Sequence, residues 1–247
     1  YRPVIWKHDE HFENSNIING IKYIKSEING VNVVLITGAD KEIKFVNIPK
    51  EIDGIDNIII CNGAFKNNNS IETVQISSGV KEIMDYAFSG CSQISNLIIN
   101  EGIKKIGDYS FEGCSSISTL IMPDSLCEIG KSAFSRCYKL FSVTMSTNIS
   151  TIPESCFYKC LSLNNISILP NISLISENAF SYTGLKNIFI PKTVKEIEKY
   201  AFIYCNDLSV IYCEDENKPN SWSVNWNRKN LDFTNYEYYN VVWSSKN

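Results

Sequence analysis

The chain has 247 residues, 44% of them hydrophobic and 20% charged, with a formal charge of −4. This is ordinary for a folded domain and gives no electrostatic reason to expect nucleic acid, whose binders carry a basic face. No apolar run approaches the roughly 18–20 residues that span a bilayer, and charged residues 7–13 interrupt any signal-peptide core after Trp6.

Residues 1–20 read as a polar N-terminal arm. It holds both histidines, in His8-Asp9-Glu10-His11. Two imidazoles on one helical turn, helped by Asp9 or Glu10, can begin a metal site. No third ligand is in view, and termini of this composition are usually solvated, so no metal or cofactor is expected. Residues 21–54 read as an N-terminal β cap followed by an opening coil. Runs 21–25, 31–36 and 43–48 have strand character and are expected to form a small antiparallel unit, with turns at Asn29-Gly30 and at residues 38–40.

Residues 55–213 carry an internal repeat. Phenylalanine recurs at Phe65, Phe88, Phe111, Phe134, Phe157, Phe180 and Phe202, at intervals of 23 residues five times and then 22. A small residue precedes each: Ala64, Ala87, Ser110, Ala133, Cys156, Ala179 and Ala201. Five places earlier the column is all isoleucine, from Ile60 to Ile197. Nine and eleven places after each Phe, once a one-residue deletion near Gly184 is allowed, apolar residues such as Val74 and Ile76 alternate with polar neighbours, the period of a strand with one buried face. Such strands are too short to be stable alone. Stacked in register they form a parallel sheet, and the Ile and Ala-Phe columns return the chain along the opposite side of each coil.

Nine cysteines invite a chemical role, but five of them, Cys91, Cys114, Cys137, Cys160 and Cys205, fill one column three places after the Phe. Asn68 and Thr183 occupy the same column in other coils. A place shared by Cys, Asn and Thr calls for a small group that is buried at a turn and hydrogen-bonds locally; the column is read as structural. Parallel, in-register Cβ vectors make disulfides between neighbours awkward, and most thiols are expected to be free. Cys61, Cys127, Cys156 and Cys213 lie elsewhere, and no C-x-x-C pair suggests zinc. With both histidines in the arm, no nucleophile–base pair is within the repeat. Phosphate-cradling glycine loops are lacking as well. The expectation is a chain without catalytic residues. Four N-x-S sequons, at Asn68, Asn148, Asn165 and Asn171, are what chance supplies in an Asn- and Ser-rich chain.

Residues 214–247 end the repeat and read as a C-terminal cap. Trp222 and Trp226, four apart, are expected on one face of a helical turn, plugging the last coil together with Trp243. An aromatic segment, residues 231–240, is set into this cap. The acidic run Glu214-Asp215-Glu216 reads as solvated charge.

Units such as Ile83-Met-Asp-Tyr-Ala-Phe-Ser-Gly-Cys-Ser-Gln-Ile94-Ser-Asn-Leu-Ile-Ile99 resemble the BspA-like, or Treponema-type, leucine-rich repeat, whose pattern is I-x-x-x-A-F-x-x-C-x-x-L-x-x-[VI]-x-[IL]-P. The resemblance covers residues 21–243. Val46-Asn-Ile-Pro-Lys-Glu-Ile-Asp-Gly54 is similar to the family's opening coil, and the stretch from Tyr212-Cys-Glu to Val241-Val-Trp243 to its C-terminal cap. The strand-end proline departs from the pattern: it stands at Pro123 and Pro191, one place late at Pro170, and nowhere else in its column. The fold implied is a β-rich repeat solenoid with short helical or 3-10 turns, a leucine-rich-repeat right-handed superhelix with a parallel sheet and terminal caps. The resemblance also implies a cell-surface or secreted location and adhesion to host or matrix proteins.

Solenoids bind through the exposed face of their stacked sheet. Its candidate residues are Gln75, Asn96, Ile98, Thr119, Ile121, Phe141, Thr144, Asn165, Asn187, Phe189 and Tyr212. The face is neutral and rich in amides and hydroxyls, with apolar islands at Ile98/Ile121 and Phe189/Tyr212. β-Branched residues there also simply suit a strand. A protein ligand is the expected partner and a glycan the other option, with no nucleic acid and no membrane insertion. A structural spacer, or a targeting domain of a larger surface protein or enzyme, stays open beside it.

Overall fold

The computed structural model describes residues 15–231 and 237–244; His8 and His11 lie outside them, as does part of the aromatic segment. Strands β1 (Asn16–Ile18), β2 (Ile21–Ile28) and β3 (Val31–Ala39) come first. The chain then alternates between two faces: β4 (Phe45–Ile48), β5 (Ile58–Ile60), β6 (Thr73–Ile76), β7 (Val80–Ile83), β8 (Asn96–Ile99) and β9 (Lys105–Ile106). The alternation continues through β10 (Thr119–Ile121), β11 (Glu128–Ile129), β12 (Ser142–Thr144), β13 (Thr151–Ile152), β14 (Asn165–Ile166) and β15 (Leu174–Ile175). It ends with β16 (Asn187–Ile190), β17 (Glu196–Ile197) and β18 (Val210–Cys213), and β19 (Asn240–Trp243) closes the described chain.

The result is a parallel β-solenoid, the repeat fold that the period implies. Each coil places one strand on either face. The even-numbered strands from β4 to β18, with β19, pair in parallel as three successive sheets, β4-β6-β8, β10-β12-β14 and β16-β18-β19. The opposite face is a second set of strands, β5-β7-β9-β11 continuing from the N-terminal meander, then β13-β15-β17. Sequence reasoning gave this return side no strands, because most of them are only two residues long and end in the isoleucine column.

Between the faces lies the core. All seven repeat phenylalanines are 2% exposed or less, and their rings stack from coil to coil with centroids 4.7–6.2 Å apart. Offset stacking of this kind is favourable beyond the area it buries. A small residue must precede each Phe, because that position is also interior: Ala87, Ser110 and Ala133 are fully buried. Two left-handed residues make the corner of each coil, one two places before the Phe and one two places after. Examples are Tyr109 (φ 55) and Gly113 (φ 72), or Ser132 (φ 54) and Arg136 (φ 60).

Neighbouring coils are clamped outside the strands as well. Asp85 donates its N–H to Asn62 Oδ1, Asp108 to Asp85 Oδ1 and Lys131 to Asp108 Oδ1, at 3.1, 2.8 and 2.8 Å. Surface ion pairs such as Lys131–Glu154 (2.6 Å) and Arg136–Glu112 (3.5 Å) also link adjacent coils, and being exposed they contribute little.

Three expectations are corrected. The antiparallel N-terminal unit consists of β1, β2 and β3. The run at residues 43–48 does not join it: β4 pairs in parallel with β6 and begins the repeat face. Alternation of apolar residues looks the same in either setting, so sequence could not tell them apart. Residues 16–18, placed in the arm, form β1, joined to β2 through Asn19-Gly20, both in positive φ. Finally, no helix or 3-10 segment occurs among the described residues. Trp222 and Trp226 sit in consecutive turns, with their rings 4.9 Å apart edge to face. Both are 2% exposed, and Trp226 caps the phenylalanine ladder at 6.2 Å from Phe202.

Candidate functional site

Parallel register converts sequence columns into straight rows on the face. One row runs through Phe45, Thr73 and Asn96, then Thr119, Ser142 and Asn165, then Asn187, Val210 and Asn240. The row two residues further along each strand runs through Asn47, Gln75 and Ile98, then Ile121 and Thr144, then Phe189, Tyr212 and Val242. Between them lies the buried row Val74, Leu120, Val143, Ile188 and Ile211. The alternation follows from the pleat: every second side chain enters the core, and the others must face out.

All eleven candidate residues are exposed; Gln75, Asn96, Ile98, Thr119, Ile121, Thr144, Asn165, Asn187, Phe189 and Tyr212 stand in the two rows, and Phe141, just before β12, belongs to neither. Ile121 is 68% exposed, Phe189 53% and Tyr212 44%, unusual values for large apolar side chains held on regular strands. Phe189 and Tyr212 are direct partners across β16 and β18. Of the row members outside that list, two are large apolar side chains that stand exposed. Phe45 (65% exposed) opens the first row, and Val242 (43% exposed) extends the Phe189–Tyr212 row onto β19. Both fall where the period breaks, at the loop bridged by Ile52 and Ile55 and at the cap. The alternation Phe45-Val-Asn-Ile48 was the available signal for the first.

The two rows hold no ionisable side chain except that of Tyr212. Charge is confined to the rim, where Lys44 and Glu72 pair at 2.9 Å; the bonded carboxylate raises the Lys44 pKa. The opposite face differs. Glu82, Lys105 and Glu128 are aligned there, with Glu82–Lys105 at 3.4 Å, around a shallow groove of about 450 Å³ that Asp85 and Asp108 also line.

The cysteine column stands apart from both faces. Cys91, Cys114, Cys137, Cys160 and Cys205 are fully buried. Each thiol donates to the carbonyl of the phenylalanine one coil back, from Cys91 Sγ to Phe65 O at 2.9 Å to Cys137 Sγ to Phe111 O at 3.4 Å. Thr183 turns its hydroxyl to Phe180 O in its own coil at 2.8 Å. Burial pushes the thiols of Cys91 and Cys137 up to about 12 and that of Cys205 to about 11, and raises Cys114 and Cys160 well above the usual thiol value. Thiols held protonated in this way are poor nucleophiles and poor ligands. Among the described residues no group of three or more His, Cys, Asp or Glu could hold a metal ion, and no helix is long and apolar enough to cross a membrane.

Stacked coils of this length, with one apolar strand column and a Phe/Cys turn in each, define a leucine-rich-repeat protein. The chain belongs to the BspA type leucine rich repeat family, whose signature it matches in six copies over residues 39–117, 58–167 and 82–209. Solved structures agree. A leucine-rich repeat protein from Treponema pallidum superposes with a TM-score of 0.64 at 22% identity, covering 80% of this chain and 81% of its own. A leucine rich cell surface protein from Faecalibacterium prausnitzii gives 0.72 at 26% identity, covering 89% of this chain and 58% of that one. The pneumococcal vaccine antigen PcpA gives 0.53 at 22% identity, covering 81% and 50%. This chain therefore spans about half the length of the last two. A search of curated proteins finds no match.

Proposed function

We propose that the chain is a non-catalytic protein-interaction module that docks a partner on its uncharged sheet face, in the setting of a cell-surface or secreted protein that adheres to host or matrix proteins. One observation carries this reading: large apolar side chains stand exposed in two islands, Ile98/Ile121 and Phe189/Tyr212/Val242, in rows that hold no charged side chain. Desolvating such a surface gains apolar burial without stripping water from ions, whereas the opposite face would require desolvating Glu82, Lys105 and Glu128. The cell-surface setting draws on the F. prausnitzii protein, which is named for it.

The test is a pair of charge substitutions at exposed positions. Ile121→Asp and Phe189→Asp are expected to abolish partner binding while leaving the urea midpoint unchanged, because neither side chain is in the core. Full binding by both variants would move the site off this face.

A further inference from the structure

The dimensions and chemistry of the face identify the form of the partner, given that the face is where binding occurs. Nine strands at about 4.8 Å spacing make it roughly 38 Å long, and three to four residues at about 3.3 Å make it about 10–13 Å wide. The footprint is about 400–500 Å², against the ~800 Å² per partner that a standard globular interface or stable dimer uses. A globular surface or a second copy of the chain would contact too little. A single polypeptide segment lying lengthwise would fill it.

The row of polar groups distinguishes a helix from an extended segment. From Thr73 to Asn187 it is an unbroken series of six hydroxyl and amide side chains, one per coil: Thr73, Asn96, Thr119, Ser142, Asn165 and Asn187. Asn165 Nδ2 donates to Ser142 Oγ at 2.9 Å. The side chains of the other four, three of them exposed, have no hydrogen-bond partner within the described chain. A helix satisfies its own backbone and would cover these groups without bonding them, a desolvation cost with no return. An extended chain has N–H and C=O groups on both edges that need partners when they leave water.

We infer that the face takes an extended, uncharged segment of about 11–12 residues, running along the solenoid axis across the strands. Its backbone is bonded by the amides and hydroxyls of the row from Thr73 to Asn187. Its side chains lie on the parallel row over the stretch from Ile98 to Val242. The apolar islands set the spacing. Ile121 and Phe189 lie three coils apart, roughly 14 Å at the strand spacing, which is about four residues of extended chain. A bound segment therefore carries apolar side chains about four residues apart, with small polar residues over Thr144 and Ser167 between them. Charged residues are excluded, because they would be desolvated against a face with no counter-ion.

The experiment pans a random 12-residue peptide library against the full chain and measures the enriched peptides by fluorescence polarisation. Enriched sequences should be uncharged with the four-residue apolar spacing. Their affinity should fall at least about tenfold when alternate backbone nitrogens are methylated, and by a similar factor in the Asn96→Ala/Thr119→Ala/Asn187→Ala variant, whose melting should match the parent. Peptides lost to Ile121→Asp and Phe189→Asp but indifferent to methylation and to the triple variant would overturn the extended-backbone mode and leave the docking face intact. Peptides indifferent to all of these changes would overturn both. Failure to enrich any peptide, with neutral oligosaccharides binding the face on a glycan array, would replace the polypeptide by a sugar chain and overturn the inference.

Discussion

Ser110 shows how little freedom a coil allows. Its column is alanine in the flanking coils, its residue is fully buried, and its hydroxyl finds no hydrogen-bond partner. A hydroxyl buried in this way costs about 1–3 kcal/mol. Ser110→Ala removes the unmet group at almost constant volume, so it is expected to raise stability by about 1 kcal/mol in urea denaturation; a destabilised variant would mean that the hydroxyl does have a partner. The cysteines give the opposite lesson. Sulfur fills a small interior site and its S–H reaches the carbonyl of the coil behind, so one side chain meets both the packing and the hydrogen-bond need. Asn68 meets it differently, accepting the Ser70 N–H at 3.1 Å. Arg136 and Lys159 hold φ near 60° at corners where Gly90 and Gly113 stand in other coils. Left-handed backbone costs a non-glycine residue about 1–2 kcal/mol, so the position and not the residue dictates the corner.

At the level of the strand, Pro153 has a local effect that the neighbouring coils make visible. Gly107, Gly130 and Ser176 donate their N–H to Ile83, Ile106 and Ile152 of the preceding coil at 2.7–2.9 Å. Pro153 stands in the same column and has no N–H. There the ladder between β11 and β13 lapses, and Ile129, unlike its counterparts Ile106 and Ile152, is only partly buried. Pro153→Ala is expected to restore the bond. Its hydrogen-bond gain, about 0.5–1.5 kcal/mol, is offset by the added freedom of the unfolded chain, about 0.4–1 kcal/mol, so melting is a poor readout. Hydrogen exchange is the suitable one: the new amide at position 153 should be protected as strongly as that of Gly130. Exchange at the rate of an open amide would show that something other than the proline splits this sheet.

For the whole molecule, stability depends on the ends and on the shared interior. Trp226 covers the last ring of the phenylalanine ladder, and Trp222 donates its indole N–H to Val194 O at 3.3 Å. Trp226→Ala is expected to cost about 3–5 kcal/mol and to expose ladder surface that promotes aggregation, measured by urea denaturation and light scattering. A loss under 1 kcal/mol would show that the rest of the cap covers the ladder without it. Alkaline pH acts on the interior as a whole. Burial raises the thiol pKa of the five column cysteines and of Cys61 and Cys213, the last two to about 12. A group whose folded pKa lies above its unfolded value contributes full stability below the unfolded pKa, about 8.5 for a thiol, and loses it as pH rises toward the folded value. Each buried thiol then costs about 1.4 kcal/mol per pH unit. The urea midpoint should be flat to about pH 8.5 and drop steeply above it, with a shallower drop after Cys114→Ala and Cys137→Ala. A midpoint unchanged up to pH 10.5 would argue against protonated, buried thiols.

Much of this architecture could be read directly. The Phe, Ile and Cys columns recur because every coil presents the same interior site to its neighbours, so a one-dimensional period carries the solenoid, the buried rows and the exposed candidates. The charge-free rows were legible for the same reason, since strand alternation determines which side chains face out. Other features depend on spatial arrangement. Phe45 and Val242 join the face only because β4 and β19 pair in parallel with β6 and β18, across insertions that break the period. The return strands are too short for any pattern to announce. The gap at Pro153 becomes visible only when the coil it fails to bond lies beside it. Sequence by itself determined what repeats, because repetition is local chemistry copied along the chain. The tertiary structure alone decided which irregular segments complete the face and where its ladders stop, because those depend on contacts between coils.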